Sequence, residues 1–255
     1  MTKELSFWES KHSEKYEDFA TSIPSDIPAY EFFYHLLNPK GKTILDFGCF
    51  QGKSSKNLLK IGALHVVGID NVEEHIHVAK RTYSENENLS FMYVPENSFI
   101  PSEKKFDSTC MSFVHPTIES RDVLKFQIQK IYEVTKGRGN LVLLGLHQNS
   151  FENNEFLFYK HRLSNGFSDG VPFANELKLP NGETIKFTDY CWTTETLTGV
   201  LQEHGFFVEG IYDLKESLEG RIGEVLRTSI KKVGATWKDE WKAPLYQVIL
   251  ARKSS

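Results

Sequence analysis

A glycine-containing turn directly follows a short apolar run near the start of the chain. Residues 43–52 read Thr-Ile-Leu-Asp-Phe-Gly-Cys-Phe-Gln-Gly, and a second apolar run at 65–70 ends on Asp70. Glycine lets the backbone approach a ligand at the carboxyl end of a strand, where a side chain would clash. A carboxylate at the end of the next strand can accept hydrogen bonds from both hydroxyls of a ribose. Together these features predict the first half of a nucleoside-binding α/β unit.

Patterns typical of strands and of helices alternate between residues 43 and 146. The predicted strands lie at 43–48, 65–70, 90–95, 107–113 and 140–146. Apolar residues at helical spacing occupy 54–62, 72–84 and 118–135. Such alternation is typical of a parallel sheet with helices on both faces, so we expect an α/β fold.

Residues 151–190 interrupt this alternation. They are rich in phenylalanine and contain a predicted hairpin at 176–187 that turns at Asn181 and Gly182. The alternation then resumes with a helix at 194–204, a strand at 206–214, a helix at 217–232 and a strand at 245–252. Residues 6–37, before the core, are aromatic-rich and predicted to be helical. We therefore expect one domain that carries an inserted cap.

Charge and cysteine content limit the compartment and the partners. The chain has 255 residues with 30 basic and 34 acidic side chains. This balance gives no excess of positive charge that would favour binding to nucleic acid or to an anionic membrane. Its three cysteines are far apart and lack C-x-x-C spacing, which argues against a disulfide framework or a zinc site. The longest apolar stretch, 141–146, is too short to span a bilayer, and no apolar signal segment opens the sequence. We expect a soluble cytoplasmic protein without a metal.

The motif at 44–52 resembles the first motif of the class I S-adenosylmethionine-dependent methyltransferases, hydrophobic-L-D-x-G-C-G-x-G. Asp70 stands at that family's ribose-binding acidic position. The stretch 96–101, Glu-Asn-Ser-Phe-Ile-Pro, resembles its third-strand turn D-A-x-x-L-P, which borders the adenine ring, and 106–115 resemble its fourth strand. Further resemblance lies in the N-terminal pairing of Trp8 and Tyr16, which looks like the aromatic lead-in of small-molecule members. The resemblance covers 5–146 well and 193–252 in outline, but not the cap.

This resemblance implies a Rossmann-like, seven-stranded, mostly parallel sheet with helices on both faces, an antiparallel last strand and an inserted cap after the fifth strand. It implies one methyltransferase domain with a helical segment at 1–42, a cofactor-binding half at 43–150, a cap or substrate lid at 151–192 and a C-terminal half at 193–255. The cofactor would be S-adenosyl-L-methionine and the product S-adenosyl-L-homocysteine. The residues implied in cofactor binding are Tyr16, Asp46, Gly48, Cys49, Phe50, Gly52, Asp70, Asn71, Glu96, Asn97, Ser112 and Phe113.

Two positions depart from the family pattern. Phe50 replaces the middle glycine of the first motif, and Glu96 replaces the aspartate of the third-strand turn. The site survives if the Phe50 ring points to solvent or packs over the methionine moiety, and it is blocked if the ring points inward. The glycines alone could equally form a tight strand–helix turn with no ligand. Gly48 and Gly52 together with Asp70 favour the site with a ligand.

Methyl transfer from a sulfonium is an in-line displacement, which requires alignment of nucleophile, methyl carbon and sulfur. A hydroxyl acceptor also needs a general base. His147, after the fifth strand, and His115, after the fourth, are the candidate bases. Each could instead cap a strand end or pack locally; the two interpretations balance for His147, whereas packing is favoured for His115. His75 and His77, on the second helix, are expected to be solvated. His161, in the cap, could meet an anionic substrate, but a solvated surface role is favoured.

The aromatic cap and the balanced charge favour a partly apolar small molecule as acceptor, and His147 favours O-methylation. Three alternatives stay open. One is N-methylation of a small molecule, and another is a catalytically inactive adenosyl-binding or interaction protein, for which Phe50 is the main support. The third is a nicotinamide-dependent oxidoreductase, but its G-x-G-x-x-G motif needs glycines where this chain has Phe50 and Lys53.

Overall fold

One large sheet and one small sheet organise the chain. The computed structural model describes residues 23, 26–101, 105–151, 156, 159–163, 166–179, 181–215, 219–233 and 244–255. The strands are β1 Thr43–Phe47, β2 His65–Asp70, β3 Leu89–Tyr93, β4 Phe106–Ser112, β5 Thr135–Leu146, β6 Tyr159–Leu163, β7 Pro172–Lys178, β8 Thr184–Tyr190, β9 Phe206–Leu214 and β10 Tyr246–Lys253. The helices are α1 Asp26–Leu37, α2 Lys53–Lys60, α3 Glu73–Thr82, α4 Arg121–Val134, α5 Thr194–Glu203 and α6 Gly220–Val233.

The large sheet has seven strands in the order β3-β2-β1-β4-β5-β10-β9. The pairs among its first five strands are parallel, and β10 is antiparallel to both β5 and β9. This confirms the expected seven-stranded, mostly parallel sheet with an antiparallel last strand. Because the chain leaves β1 on one side towards β2 and later returns beside it as β4, a crevice opens at the carboxyl ends of β1 and β4, where ligands bind in such sheets.

Helices cover both faces of the large sheet, as predicted. Alternate residues of a strand point to opposite faces, and β5 shows this directly. Val142 and Leu144 belong to one buried core, which also contains side chains of α1, α2, α3 and α6. Leu141 and Leu143 belong to a second core, which contains side chains of α4 and α5. The sheet is thereby fixed between two apolar layers, and its carboxyl edge is left for a site.

The cap after β5 is a three-stranded antiparallel sheet, β6-β7-β8, which we call the cap sheet. The predicted hairpin is present as β7 and β8, and it turns at Asn181 and Gly182, where Gly182 has φ 88°. The third strand, β6, was not expected from the sequence. The hydroxyl of Tyr159 in β6 donates a 3.1 Å hydrogen bond to Asp26 of α1, which ties the cap sheet to the first helix.

The N-terminal helical prediction is confirmed for the part that forms α1. Trp8 and Tyr16 lie outside the described residues. Within the described ranges, no helix is both long and apolar enough to traverse a bilayer.

Candidate active site

The turn after β1 contains two glycines with positive φ, Gly48 at 74° and Gly52 at 89°. A Cβ on Gly48 would lie 2.3 Å from a methyl group of Val114, and one on Gly52 would lie 2.7 Å from the Phe91 ring. L-residues rarely adopt this backbone conformation. Both glycines are therefore required by the turn's own packing.

Phe50, between these glycines, also has a left-handed backbone, with φ 51°. Its backbone N–H donates a 2.9 Å hydrogen bond to Oδ2 of Asp70. Its ring lies against His75, with 3.9 Å between the ring centroids and 47° between the planes. The side chain therefore rests on the first turn of α3, an arrangement that the sequence did not indicate.

Asp70, the last residue of β2, is held by three protein donors. Besides the Phe50 N–H, the backbone N–H of Val72 lies 2.9 Å from Oδ1 and the Nδ1 atom of His75 lies 3.2 Å from Oδ1. The side chains of His75 and Asp70 are only 6 and 9% exposed. The carboxylate is thus fixed at the carboxyl edge of the sheet.

The expectation that His75 is solvated was wrong. α3 begins at Glu73, so position 75 lies in its first turn and its side chain points back to the end of β2. His77, two residues further along the helix, is exposed as predicted.

A cavity of about 60 Å³ lies beside Asp70, at the carboxyl ends of β1 to β4. Its apolar walls come from Phe47, Ile69, Val94, Val114 and Ile118. Its polar lining comes from Asp70, Asn71, Glu96, Thr117, Gln127 and Lys130, and Gly48 also borders it. Apolar walls with a few polar groups are typical of ligand sites, but the volume of this cavity lies below the roughly 300–1,000 Å³ of most such pockets.

Two lining residues of α4 were missed by the sequence reasoning. Nζ of Lys130 and Nε2 of Gln127 donate hydrogen bonds of 3.1 and 3.2 Å to the backbone oxygen of Glu96. Burial lowers the pKa of Lys130 to about 8. The sequence feature that could have indicated its burial is its position. Lys130 lies four residues after Phe126, on a helix face that is otherwise largely apolar. These bonds anchor the turn after β3 to α4.

Asp46 is buried below the glycine turn. The hydroxyls of Ser54 and Ser55 donate to its Oδ2 at 2.5 and 2.6 Å, and the thiol of Cys110 lies 3.4 Å from its Oδ1. Burial raises the pKa of Asp46, and the hydrogen bonds from the two serines oppose that rise. The carboxylate thus joins β1 to the start of α2.

The other residues named for cofactor binding take different positions. Cys49 is buried in the first core, whereas Asn71 and Asn97 are exposed and Ser112 is half-buried at the end of β4. Phe113, with φ 54°, packs between Tyr30 and Tyr246 at centroid distances of 6.0 and 5.7 Å. Their roles in cofactor binding stay predictions.

His147 is bonded at both ring nitrogens. Its Nδ1 accepts a 3.0 Å hydrogen bond from the backbone N–H of Asn149, so the proton is on Nε2, which lies 3.2 Å from Asp213. The hydrogen bond from His147 lowers the pKa of Asp213. This geometry favours the capping role that the sequence left open, and a role as base stays a prediction.

His115 is buried against β5, where a Cβ on Gly145 would lie 2.1 Å from its ring. Burial lowers its pKa to about 4. Its Nδ1 has no hydrogen-bond partner within the part of the chain that the structure describes. The packing interpretation is favoured here as well, and the catalytic role stays a prediction.

The inner face of the cap sheet contains a chain of buried polar side chains. Nδ1 of His161 lies 2.6 Å from Oδ1 of Asn175, whose Nδ2 donates a 2.9 Å hydrogen bond to Asp189. Burial lowers the pKa of His161 to about 4. The expectation that His161 is solvated was wrong, because alternation along β6 places it on the inner face with Tyr159.

Comparison with known proteins gives a family match over part of the chain. The sequence model of a family described as methyltransferase domain matches residues 44–139. A search of curated proteins found no match. Among solved structures, an S-adenosylmethionine-dependent methyltransferase from Clostridium acetobutylicum ATCC 824 shares 12% identity, with a TM-score of 0.64 over 96% of this chain and 100% of that chain.

Two further structures show the same fold. An S-adenosylmethionine-dependent methyltransferase from Mesorhizobium loti shares 15% identity, with a TM-score of 0.61 over 90% of this chain and 98% of that chain. The N-methyltransferase NodS from Bradyrhizobium japonicum WM9 shares 11% identity, with a TM-score of 0.57 over 92% of this chain and 99% of that chain.

The fold is the one seen in S-adenosylmethionine-dependent methyltransferases. The match over 44–139 adds that this segment is similar to a methyltransferase domain, and S-adenosylmethionine is the cofactor that the names of the two neighbouring structures give. The residues at the crevice fit this cofactor. A carboxylate has roughly four acceptor positions, so Asp70 can still accept from a ribose hydroxyl beside its three protein donors. The apolar walls of the cavity suit the adenine ring.

Proposed function

We propose that the protein transfers a methyl group from S-adenosyl-L-methionine to an oxygen or a nitrogen atom of a small molecule. The observation that carries this proposal is Asp70, fixed beside the apolar cavity by Phe50, Val72 and His75. In this proposal Asp70 binds the ribose, while Glu96 and Asn97 border the adenine.

The bound cofactor supplies an electrophilic methyl group on a sulfonium. The chain's contribution is to position the reactants, which can lower a barrier by roughly 7–11 kcal/mol. Phe113, Tyr30 and Tyr246 form an aromatic cluster where β4 and β10 meet α1. Such a cluster would exclude water from the acceptor side. Asp26, which accepts from the hydroxyls of Tyr159 and Tyr246, is the polar group there that could orient an acceptor.

Charge supports a small acceptor rather than a nucleic acid. The chain carries a net charge of −4, whereas nucleic-acid binding depends on a basic surface. Cys49, Cys110 and Cys191 are free and buried, which supports a reducing, cytoplasmic location.

The sequence favours oxygen through His147 as a base, whereas the contacts of His147 in the structure favour nitrogen. Both of its ring nitrogens are bonded within the protein, so it is poorly placed to take a proton from a hydroxyl. A neutral amine already presents a lone pair and can attack without a base.

The experiment is transfer of labelled methyl from S-adenosyl-L-methionine into a cell extract separated by size into small molecules, RNA and protein. We expect label in the small-molecule fraction, and mass spectrometry of that product would distinguish O- from N-methylation. Label confined to RNA or protein would overturn the small-molecule proposal, and no label in any fraction would favour an inactive adenosyl-binding protein. Heat-denatured protein is the control.

A further inference from the structure

Position 50 carries a phenylalanine in a backbone conformation that glycine adopts freely. A φ of 51° is uncommon for a residue with a bulky side chain and costs free energy. Two contacts offset that cost: the 2.9 Å hydrogen bond from the Phe50 N–H to Asp70 and the tilted contact of the Phe50 and His75 rings, whose centroids lie 3.9 Å apart. The same three residues are thus joined in a closed set of contacts.

We infer that Phe50 and His75 act as a positioning pair for Asp70, holding its carboxylate in the orientation that binds the cofactor ribose. This inference rests on the proposed role of Asp70. His75 supplies the side-chain donor, Phe50 holds the imidazole ring in place, and the backbone of Phe50 supplies the second bond. Neither residue needs to touch the cofactor.

The hydrogen-bonding chemistry fixes what His75 does. An ionised carboxylate can only accept hydrogen bonds, so the proton on the 3.2 Å contact belongs to Nδ1 of His75. With that contact and the Val72 N–H on Oδ1, and the Phe50 N–H on Oδ2, the carboxylate plane cannot rotate without breaking a bond. Loss of the His75 donor would leave only backbone donors and a freer carboxylate.

The test compares His75→Asn with His75→Leu by calorimetric titration of S-adenosylhomocysteine. The amide nitrogen of asparagine can take the place of Nδ1, whereas leucine fills similar space without a donor. We expect His75→Leu to weaken binding about tenfold and His75→Asn to stay within about threefold of the unsubstituted protein. Thermal unfolding of both variants reports any common loss of stability, which a merely structural residue would show without this difference in affinity.

Phe50→Gly is used in a second comparison, which tests whether Phe50 and His75 act together. If the pair acts as one unit, the double variant Phe50→Gly/His75→Leu binds S-adenosylhomocysteine more tightly than the product of the two single losses predicts. Equal affinity for the asparagine and leucine variants, or losses that multiply in the double variant, would overturn the inference. Absence of binding by the unsubstituted protein would instead overturn the proposed role of Asp70.

Discussion

The backbone nitrogen of Phe50 and Oδ2 of Asp70 lie 2.9 Å apart, joined by a hydrogen bond between the turn after β1 and the end of β2. This bond connects the two sequence features that most constrain the chain's function. It orients the carboxylate at the edge of the cavity, and it holds the left-handed backbone of Phe50 at a position where the family pattern has glycine.

Asp70→Asn is expected to weaken binding of S-adenosylhomocysteine. A hydrogen bond to a charged group contributes about 1.5–3 kcal/mol, so we expect a loss of roughly tenfold to a hundredfold in titration calorimetry. Asp107→Asn is the matched control, because Asp107 lies at the opposite end of the parallel strands, where it bonds Thr43 and Lys136. Unchanged affinity in Asp70→Asn, or an equal loss in Asp107→Asn, would show that the Asp70 carboxylate does not bind the ribose.

Gly48→Ala is expected to destabilise the protein more than Gly41→Ala. Both glycines have φ above 70°, so each alanine carries a backbone cost of about 1–2 kcal/mol. Only at Gly48 would the new methyl group meet another atom, Val114 at 2.3 Å, whereas nothing lies within 4 Å at Gly41. Overpacking adds about 1–3 kcal/mol. Urea unfolding should show this difference, and equal losses would mean that Val114 does not limit the turn.

Asn175→Leu is expected to cost about 2–4 kcal/mol of unfolding free energy, because it removes the link between two buried ionisable side chains, His161 and Asp189. Ala174→Leu is the control, since Ala174 is the neighbouring residue on the exposed face of β7. Chemical denaturation of both variants provides the comparison. A loss in Asn175→Leu no larger than in the control would show that the polar chain contributes little to the cap sheet.

Stability is expected to fall in mild acid because of His115 and His161. Burial lowers the pKa of each to about 4 from the ordinary 6.5. Between these values the unfolded chain binds protons that the folded chain does not. The contribution to stability is therefore fully present above pH 6.5 and is lost as pH falls towards 4. The slope is at most about 1.4 kcal/mol per pH unit for each histidine.

Urea unfolding at a series of pH values from about 7 to 4.5 measures this slope. His115→Gln removes one titrating group and is expected to flatten it, while His77→Gln, which replaces an exposed histidine, should leave it unchanged. The same slope in His115→Gln and the unsubstituted protein would show that His115 is not buried in its neutral form.

The parts of the fold that were predictable share a simple physical origin. Apolar runs, glycine punctuation and helical spacing are local signals, and the strands and helices of residues 43–146 each have a counterpart in the structure. The antiparallel β10 followed from the family resemblance. Strand β6 was missed because its five residues, Tyr-Lys-His-Arg-Leu, include three basic or imidazole side chains and offer little apolar alternation.

The site residues that were missed depend on contacts between distant segments. His75 is buried because the first turn of α3 faces the end of β2, and Lys130 is buried because α4 passes the turn after β3. A charged or imidazole side chain on a helix normally indicates a solvated face. Only the tertiary arrangement shows that these two donors point to Asp70 and Glu96.

The most direct test of this account is a crystal structure of the protein grown with saturating S-adenosylhomocysteine. We predict the ribose hydroxyls within hydrogen-bond distance of the Asp70 carboxylate and the adenine in the cavity walled by Val94, Val114 and Ile118. A cavity that holds only solvent, or a ligand bound away from Asp70, would contradict the account.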